Sequence, residues 1–445
     1  MSPLDYLYGR LNYERVSPAA NQGAFRLQRM RHLLRLLGHP ERSFQIVHVG
    51  GTKGKGSICE MIATMLIACG YKVGLYTSPH LERLEERFRV DGLPCEASEL
   101  EALVEAVRGA ADSVEQMGEG QPTFFELTTA MAMEYFRRTQ CTVAVIEVGL
   151  GGRLDSTNVC DPVVSVITSV GLDHQHILGD THAQIAFEKA GIIKPGVPVV
   201  SGVEQPDAQQ VIRQTAAQRG ALLWQSGVDF QVTPCAVGES SSLLKPFDFQ
   251  AHNPLLQSRL GWAVGLEGRH QQINAGVALA VMDALVPVGL SGPLDVQRAG
   301  LAAVRCAGRV ERFGDQPEIL LDTAHNIDSV TALRTVLRDR PASGKTVVVF
   351  GTSADKDGEA MLQLLNSVAD HLFLTRYWSN PRWFDPVELA RMSSNQNTIV
   401  VDKPADALSR AIQVAGPAGR VVICGSFFLA AELRPLLRAE HSTGC

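Results

Sequence analysis

The chain has 445 residues, more than one hydrophobic core usually serves, so two or more domains are expected. Hydrophobic residues make up 45% and charged residues 20%, which excludes a disordered or low-complexity chain. The formal net charge of -6 argues against a nucleic-acid partner, which usually meets a basic face, but leaves room for a small anion in a local basic pocket.

The N-terminal MSPLDYLYGRLNYERV lacks an apolar core, so no signal peptide is expected. No stretch reads as the roughly 20 apolar residues a membrane span needs, so no membrane partner is expected. Residues 44–49 read as a buried strand, followed by the glycine-rich GGTKGKGS (50–57) and then a helical pattern. Further strands are predicted at 72–77, 142–148, 163–168 and 197–201, with helices at 98–117 and 124–138 between them. Strands apolar on both faces, alternating with helices, predict a parallel sheet. Residues 225–266 are less regular and read as an antiparallel edge; 271–286 read as a long helix. A second α/β series follows, with strands at 318–322, 346–350, 371–376, 398–402 and 420–424. The expected architecture is α/β: an N-terminal P-loop domain with a mostly parallel sheet (1–305) and a smaller, Rossmann-like C-terminal domain (306–445). Nine cysteines show no CxxC pair, and Cys59, Cys69 and Cys424 lie in apolar runs, which fits a reducing cytoplasm.

A strand–glycine loop–helix unit aims several backbone N–H groups and a helix N-terminus at one spot, as a triphosphate requires. Thr52, Lys53, Gly54, Lys55, Gly56 and Ser57 are therefore the candidate ATP contacts, with Lys55 neutralising the outer phosphates. The loop departs from the strict form: Val49 stands where a first glycine belongs, and Gly56 separates Lys55 from Ser57. Ser78, at the end of a strand, is either a turn residue or a Mg²⁺ ligand. Glu147 sits in an apolar strand and needs a partner there, a metal ion or a buried arginine. Gly149, Gly151 and Gly152 would let the backbone approach a ligand, with Arg153 and Asp155 next to substrate. His174 follows a strand and is a candidate metal ligand. Lys189 is either a solvated helix charge or, in a metal cleft, a lysine that takes up CO₂ as a carbamate. In PTFFE, Thr123, Phe124, Phe125 and Glu126 open a helix; a phenylalanine there is core or stacks on a flat heteroaromatic ring. Asn274, Arg309, Asp322 and His325 are candidate nucleotide contacts, Asp322 for hydroxyl groups and Arg309 for phosphate.

Taken together, GTKGKGS, YTSPHL, TFFE, IEVGLGGRLDSTN, GLDHQHILG, EKAGIIKPG, GRVE, LDTAHN, SADKD and CGSFFLAAELR resemble the folylpolyglutamate synthase/dihydrofolate synthase family of Mur-ligase-like enzymes. The likeness runs in order from about residue 44 to 436. It departs at Lys53, where many members have Asn, and at Ile327, where Pro is usual. Members that act on dihydropteroate often carry an Asp-x-Gly-Leu type segment near the N-terminus; here the chain reads Ala24-FRLQRM. The resemblance implies an ATP-dependent ligase that adds L-glutamate to a folate, and to dihydropteroate, through an acyl phosphate. It implies two Mg²⁺ ions, one on Ser78 and Glu147, the other on His174 and carbamylated Lys189, catalytic roles for Lys55, Glu147, His174 and Lys189, closure of two domains over the reactants, and a monomer. A Mur-type ligase on another carboxylate, or a P-loop ATPase switch without ligase activity, are the competing readings; a switch would release phosphate without folate or glutamate.

Overall fold

The computed structural model describes residues 2–12, 27–235 and 244–441, which form two compact units. The first spans Met1–Gly265 and Gln271–Val304, the second Leu266–His270 and Arg305–Cys445.

The first unit is built on eight strands: β1 Gln45–Gly50, β2 Val73–Tyr76, β3 Phe88–Val90, β4 Leu93–Pro94, β5 Val143–Glu147, β6 Val164–Ile167, β7 Val199–Ser201 and β8 Leu223–Gln225. Their order is β4-β3-β2-β5-β1-β6-β7-β8, parallel except for the β2-β3-β4 meander. β1 is central, between β5 and β6. Its branched, apolar residues suit a strand covered on both faces. One face buries Tyr76, Leu103, Val107, Phe124 and Met131 beneath the helices Ala97–Val114 and Phe124–Arg138. Further along the same face, beneath the helices His182–Ala190 and Pro206–Gln218, lie Ile185, Ile192, Val199 and Ile212, and the opposite face buries Val47, Val49, Val145, Val166 and Val200. Every loop that follows a parallel strand therefore opens on one edge of the sheet, where α/β proteins keep their ligands.

The expected antiparallel edge over 225–266 is a separate three-stranded sheet, β9 Phe230–Pro234, β10 Phe247–Ala251 and β11 Arg259–Trp262. Phe230, Phe247 and Phe249 give it a core of its own, so it does not extend the large sheet. The long helix runs Arg269–Leu285. Against expectation, Arg269–Val288 has the length and mean hydropathy of a membrane crossing, yet 67% of that window is buried inside the protein, as in a core helix. The β3-β4 hairpin is hidden in the sequence because its strands are three and two residues long and Arg89, which pairs with Glu60 of the helix Lys55–Ala68, breaks the apolar run.

The second unit carries β12 Glu311–Asp315, β13 Glu318–Leu321, β14 Thr346–Phe350, β15 His371–Leu374, β16 Thr398–Val400 and β17 Arg420–Cys424. Their order is β12-β13-β17-β14-β15-β16, with only β12 antiparallel. Leu320, Val348, Phe350, Leu372 and Val422 anchor its core.

Candidate active site

The loop after β1 is fixed before any ligand arrives. Thr52 N–H donates to Ser169 O at 2.9 Å, and Lys53 N–H donates to Ser169 Oγ at 2.9 Å. Thr168 Oγ1 donates to Lys53 O at 2.6 Å, and Gly171 N–H donates to Thr52 Oγ1 at 3.0 Å. The loop after β6 thus splints the loop after β1. Gly54 ends it with φ of 83°, in the left-handed region, and caps the helix Lys55–Ala68 without a side-chain bond. The first-turn amides of that helix meet no side-chain cap and no acidic residue, the arrangement that suits an anion. Asn274 crowds Gly54, where a Cβ would lie 2.6 Å from Asn274 Oδ1. Asn274 Nδ2 donates to Gln271 Oε1 at 2.9 Å, and Gln271 Nε2 donates to Ser57 Oγ at 3.3 Å. Gln271 and Asn274 share one helix face at i, i+3 spacing, so the core helix braces the loop. Gln271 carries no signal in the sequence beyond that spacing from Asn274.

Charge gathers on the same edge. Lys55 Nζ donates to Gly51 O at 3.1 Å. Glu147, at the end of β5, is 5% exposed and accepts Ser78 N–H at 3.1 Å; a Cβ on Gly56 would lie 3.8 Å from its Oε2. Lys189, near the end of the helix His182–Ala190, is 3% exposed, so it is not a solvated charge. Burial, then the fields of Lys55 and Lys53, pull its pKa down to about 7. Asp173, which the sequence analysis passed over beside His174, pairs with Lys53 at 2.9 Å and pulls Lys189 the other way. The His174 side chain is 50% exposed, on a residue with φ of 52° that caps the short helix Gln175–Leu178. Among the described residues no cluster of three His, Cys, Asp or Glu side chains forms a ready cation cage.

The candidate substrate residues divide. Thr123 and Glu126 form a capping box, and Arg29 grips Glu126 in a buried pair at 2.8 Å. Those two side chains are committed to the helix start and to its neighbour, not to an open surface. Phe124 stacks on Tyr8 at 6.1 Å between centroids. Phe125 lies against Gly149, where a Cβ would stand 2.5 Å from the ring. Gly152 likewise admits Glu188 O and Lys189 O, each 2.9 Å from a Cβ position. These two glycines let protein pack on protein, rather than on a ligand as expected. Asp155 is buried and accepts from Leu150 N–H at 2.8 Å and Thr157 N–H at 2.9 Å, so it shapes the loop; burial raises its pKa. Arg153 pairs with Glu188 at 2.8 Å. Through this loop the helix carrying Lys189 is clamped to the strand end carrying Glu147.

In the second unit Asp322 is buried and accepts from Val310 N–H at 2.8 Å and Ala324 N–H at 2.7 Å, instead of presenting both oxygens to a ligand. Burial raises its pKa. It holds Val310 at φ of 48°, a costly position for a β-branched residue. Arg309 donates to Thr323 Oγ1 at 2.8 Å and lies over the Phe427 ring; His325 Nδ1 is 2.9 Å from Thr323 O. Residues 24–26 of the Ala24-FRLQRM segment lie outside the described residues.

The profile of the Mur ligase middle domain matches residues 49–282, and that of the Mur ligase glutamate ligase domain matches 308–427. The dihydrofolate synthase/folylpolyglutamate synthase of Bacillus subtilis is 35% identical over 437 residues, covering 97% of this chain and 98% of that one. This chain belongs to the folylpolyglutamate synthase/dihydrofolate synthase family. A folylpolyglutamate synthase of Lacticaseibacillus casei is 37% identical over 419 residues, 93% of this chain and 95% of its own. The Mycobacterium tuberculosis folylpolyglutamate synthase complexed with ADP superposes with a TM-score of 0.86 at 29% identity, covering 98% of this chain and 97% of that one. Family membership accounts for the α/β fold.

Proposed function

We propose that this chain is an ATP-dependent ligase that joins the amine of L-glutamate to a carboxylate of a folate. The observation that carries the reading is the convergence of the splinted loop, Lys55, Glu147 and the buried Lys189 on one sheet edge, in a chain that matches relatives of that name end to end.

A carboxylate attacks a triphosphate poorly because both are anions. The loop amides and Lys55 would hold the transferred phosphoryl group and neutralise charge that grows there. A carboxylate oxygen attacks the γ-phosphorus, the bond to the bridging oxygen breaks, and ADP leaves with that electron pair. The glutamate amine then attacks the acyl carbon and loses a proton, and inorganic phosphate departs as the amide forms. Keeping water from the acyl phosphate is the part we assign to closure of the two domains, residues 1–305 and 306–445. Arg309, Asp322, His325 and Asn274 are carried as nucleotide-handling residues, Asp322 by setting the loop that bears Arg309.

Glu147 and Ser78 offer hard oxygen donors, which fits Mg²⁺, an ion that needs few protein ligands beside phosphate oxygens. A second ion would sit on His174 and on Lys189 as its carbamate; an amine with a pKa near 7 has the neutral form that adds CO₂. Bound Mg²⁺ supplies charge neutralisation at the phosphates. Phe125 and Arg153, which keep exposed surface, remain the proposed substrate wall, with the buried Phe124 and Asp155 supporting it from behind. A cytoplasmic location is supported by eight free cysteines among the described residues, and a monomer is proposed, checked by light scattering.

Relatives named for one activity or for both leave dihydropteroate as a second acceptor. Purified protein incubated with ATP, Mg²⁺, glutamate and either dihydropteroate or tetrahydrofolate, with products read by mass spectrometry, tests both. Glutamylation of at least one acceptor is expected; ATP hydrolysis without any amide product would refute the ligase reading.

A further inference from the structure

The edge of the sheet opposite the phosphate loop holds a cavity of about 450 Å³, the size of a small-molecule site. Its walls come from the helix Leu27–Leu36 and from segments that lead into β1, β6 and β7, whereas the loop residues follow their strands. A six-residue strand is about 20 Å long, so the two places are separate.

Four fixed cations line the cavity, Arg31, Arg35, Arg42 and Lys194, against two carboxylates, Glu41 and Asp161. Glu41 is already taken by His39, 3.0 Å away, and by Arg42 at 3.7 Å. Arg31 and Arg35 stand at i, i+4 on one helix face, a like-charge spacing that destabilises an isolated helix. Both are exposed, and neither makes an ion pair among the described residues. The buried face of the same helix, Met30, Leu33 and Leu34, explains its packing but not this charge. Lys194 reaches inward to donate to Asn158 O at 2.8 Å; burial lowers its pKa, Cys160 and Asp161 oppose that shift, and the field of Arg31 adds to it. With Arg42 paired to Glu41, the cavity keeps Arg31, Arg35 and Lys194 against Asp161, an excess of positive charge in a chain whose net charge is negative.

We propose that this cavity binds a small molecule bearing two or more negative charges, as phosphate groups or as a run of carboxylates. The inference does not rest on the ligase reading. Phosphorylated metabolites and a γ-linked glutamate chain share this chemistry, and two probes tell them apart: inorganic pyrophosphate and tri-γ-L-glutamate.

Both probes are titrated calorimetrically into the full-length Lys55→Ala protein, which removes the loop lysine, and into the same protein carrying Arg31→Ala and Arg35→Ala. These arginines are exposed, so folding should survive, and an unchanged melting temperature checks it. Binding of either probe to Lys55→Ala, weakened fivefold or more by the two arginine changes, is the expected result. Replacing two distant exposed arginines, Arg391→Ala and Arg410→Ala, should leave it within twofold. Binding by pyrophosphate alone assigns phosphate; by triglutamate alone, carboxylate. Failure of both probes to bind, a loss smaller than fivefold, or an equal loss in the distant pair would overturn the proposal.

Discussion

Gly54→Ala tests the phosphate loop through its backbone. An alanine at φ of 83° costs about 1–2 kcal/mol, the penalty of the left-handed region. Its Cβ would also stand 2.6 Å from Asn274 Oδ1, so Asn274 must move and give up its bond to Gln271, worth about 1 kcal/mol. Gln271 in turn holds Ser57 Oγ, so the disturbance runs into the first turn of the phosphate-facing helix. The sum is about 2–3 kcal/mol. If the loop relaxes in the free protein and must be rebuilt around nucleotide, that becomes about 30- to 150-fold weaker ATP binding. Gly70→Ala is the matched control: its φ is 87°, but no atom lies within 4 Å of the new Cβ. It should lose the same roughly 1–2 kcal/mol of stability for its left-handed backbone and bind ATP normally. Calorimetric titration with a non-hydrolysable ATP analogue, alongside thermal unfolding, separates the two. Binding by Gly54→Ala within threefold of wild type would refute the cradle assignment.

Lys189→Ala should lose ligation and recover part of it in short carboxylic acids, which restore an oxygen ligand; full activity without rescue would count against the carbamate. Glu147→Gln should raise the Mg²⁺ concentration needed for half-maximal rate by tenfold or more, and an unchanged Mg²⁺ curve would remove Glu147 from the metal site. His48 is wholly buried in β1, its Nε2 2.8 Å from Thr157 Oγ1, and burial pulls its pKa from 6.5 down to about 3. Between those values the unfolded chain takes up a proton that the native state refuses, so native stability falls as pH drops through that window. One group contributes about 1.4 kcal/mol per pH unit there. His48→Asn should flatten the acid side of the melting-temperature profile, and an identical slope in both proteins would exclude His48 as its source.

The central strands and the glycine loop were legible because continuous branched, apolar runs have few alternatives to a buried parallel strand. Charged or short elements were not. β3 carries Arg89, which pairs with Glu60, and β8 is three residues long; neither leaves a period to read. Glu147, Lys55 and Lys189 could be named from their residue types in those contexts. The bracing of the loop by Gln271, Thr168 and Ser169 could not, since it depends on where the core helix and β6 end in space. Thr123, Glu126 and Asp322 show the converse. Polar residues at strand and helix ends read as ligand contacts, yet here they satisfy backbone amides and an N-cap, a demand that every such end makes.

The account rests on activation of an acid by phosphate at the loop following β1. The direct measurement uses a folate whose glutamate carboxyl groups carry ¹⁸O, with ATP, Mg²⁺ and L-glutamate, and follows the label by ³¹P resonance. Transfer of one ¹⁸O into the inorganic phosphate for each amide formed is the predicted result. Phosphate released without label, at a rate indifferent to folate and glutamate, would contradict it.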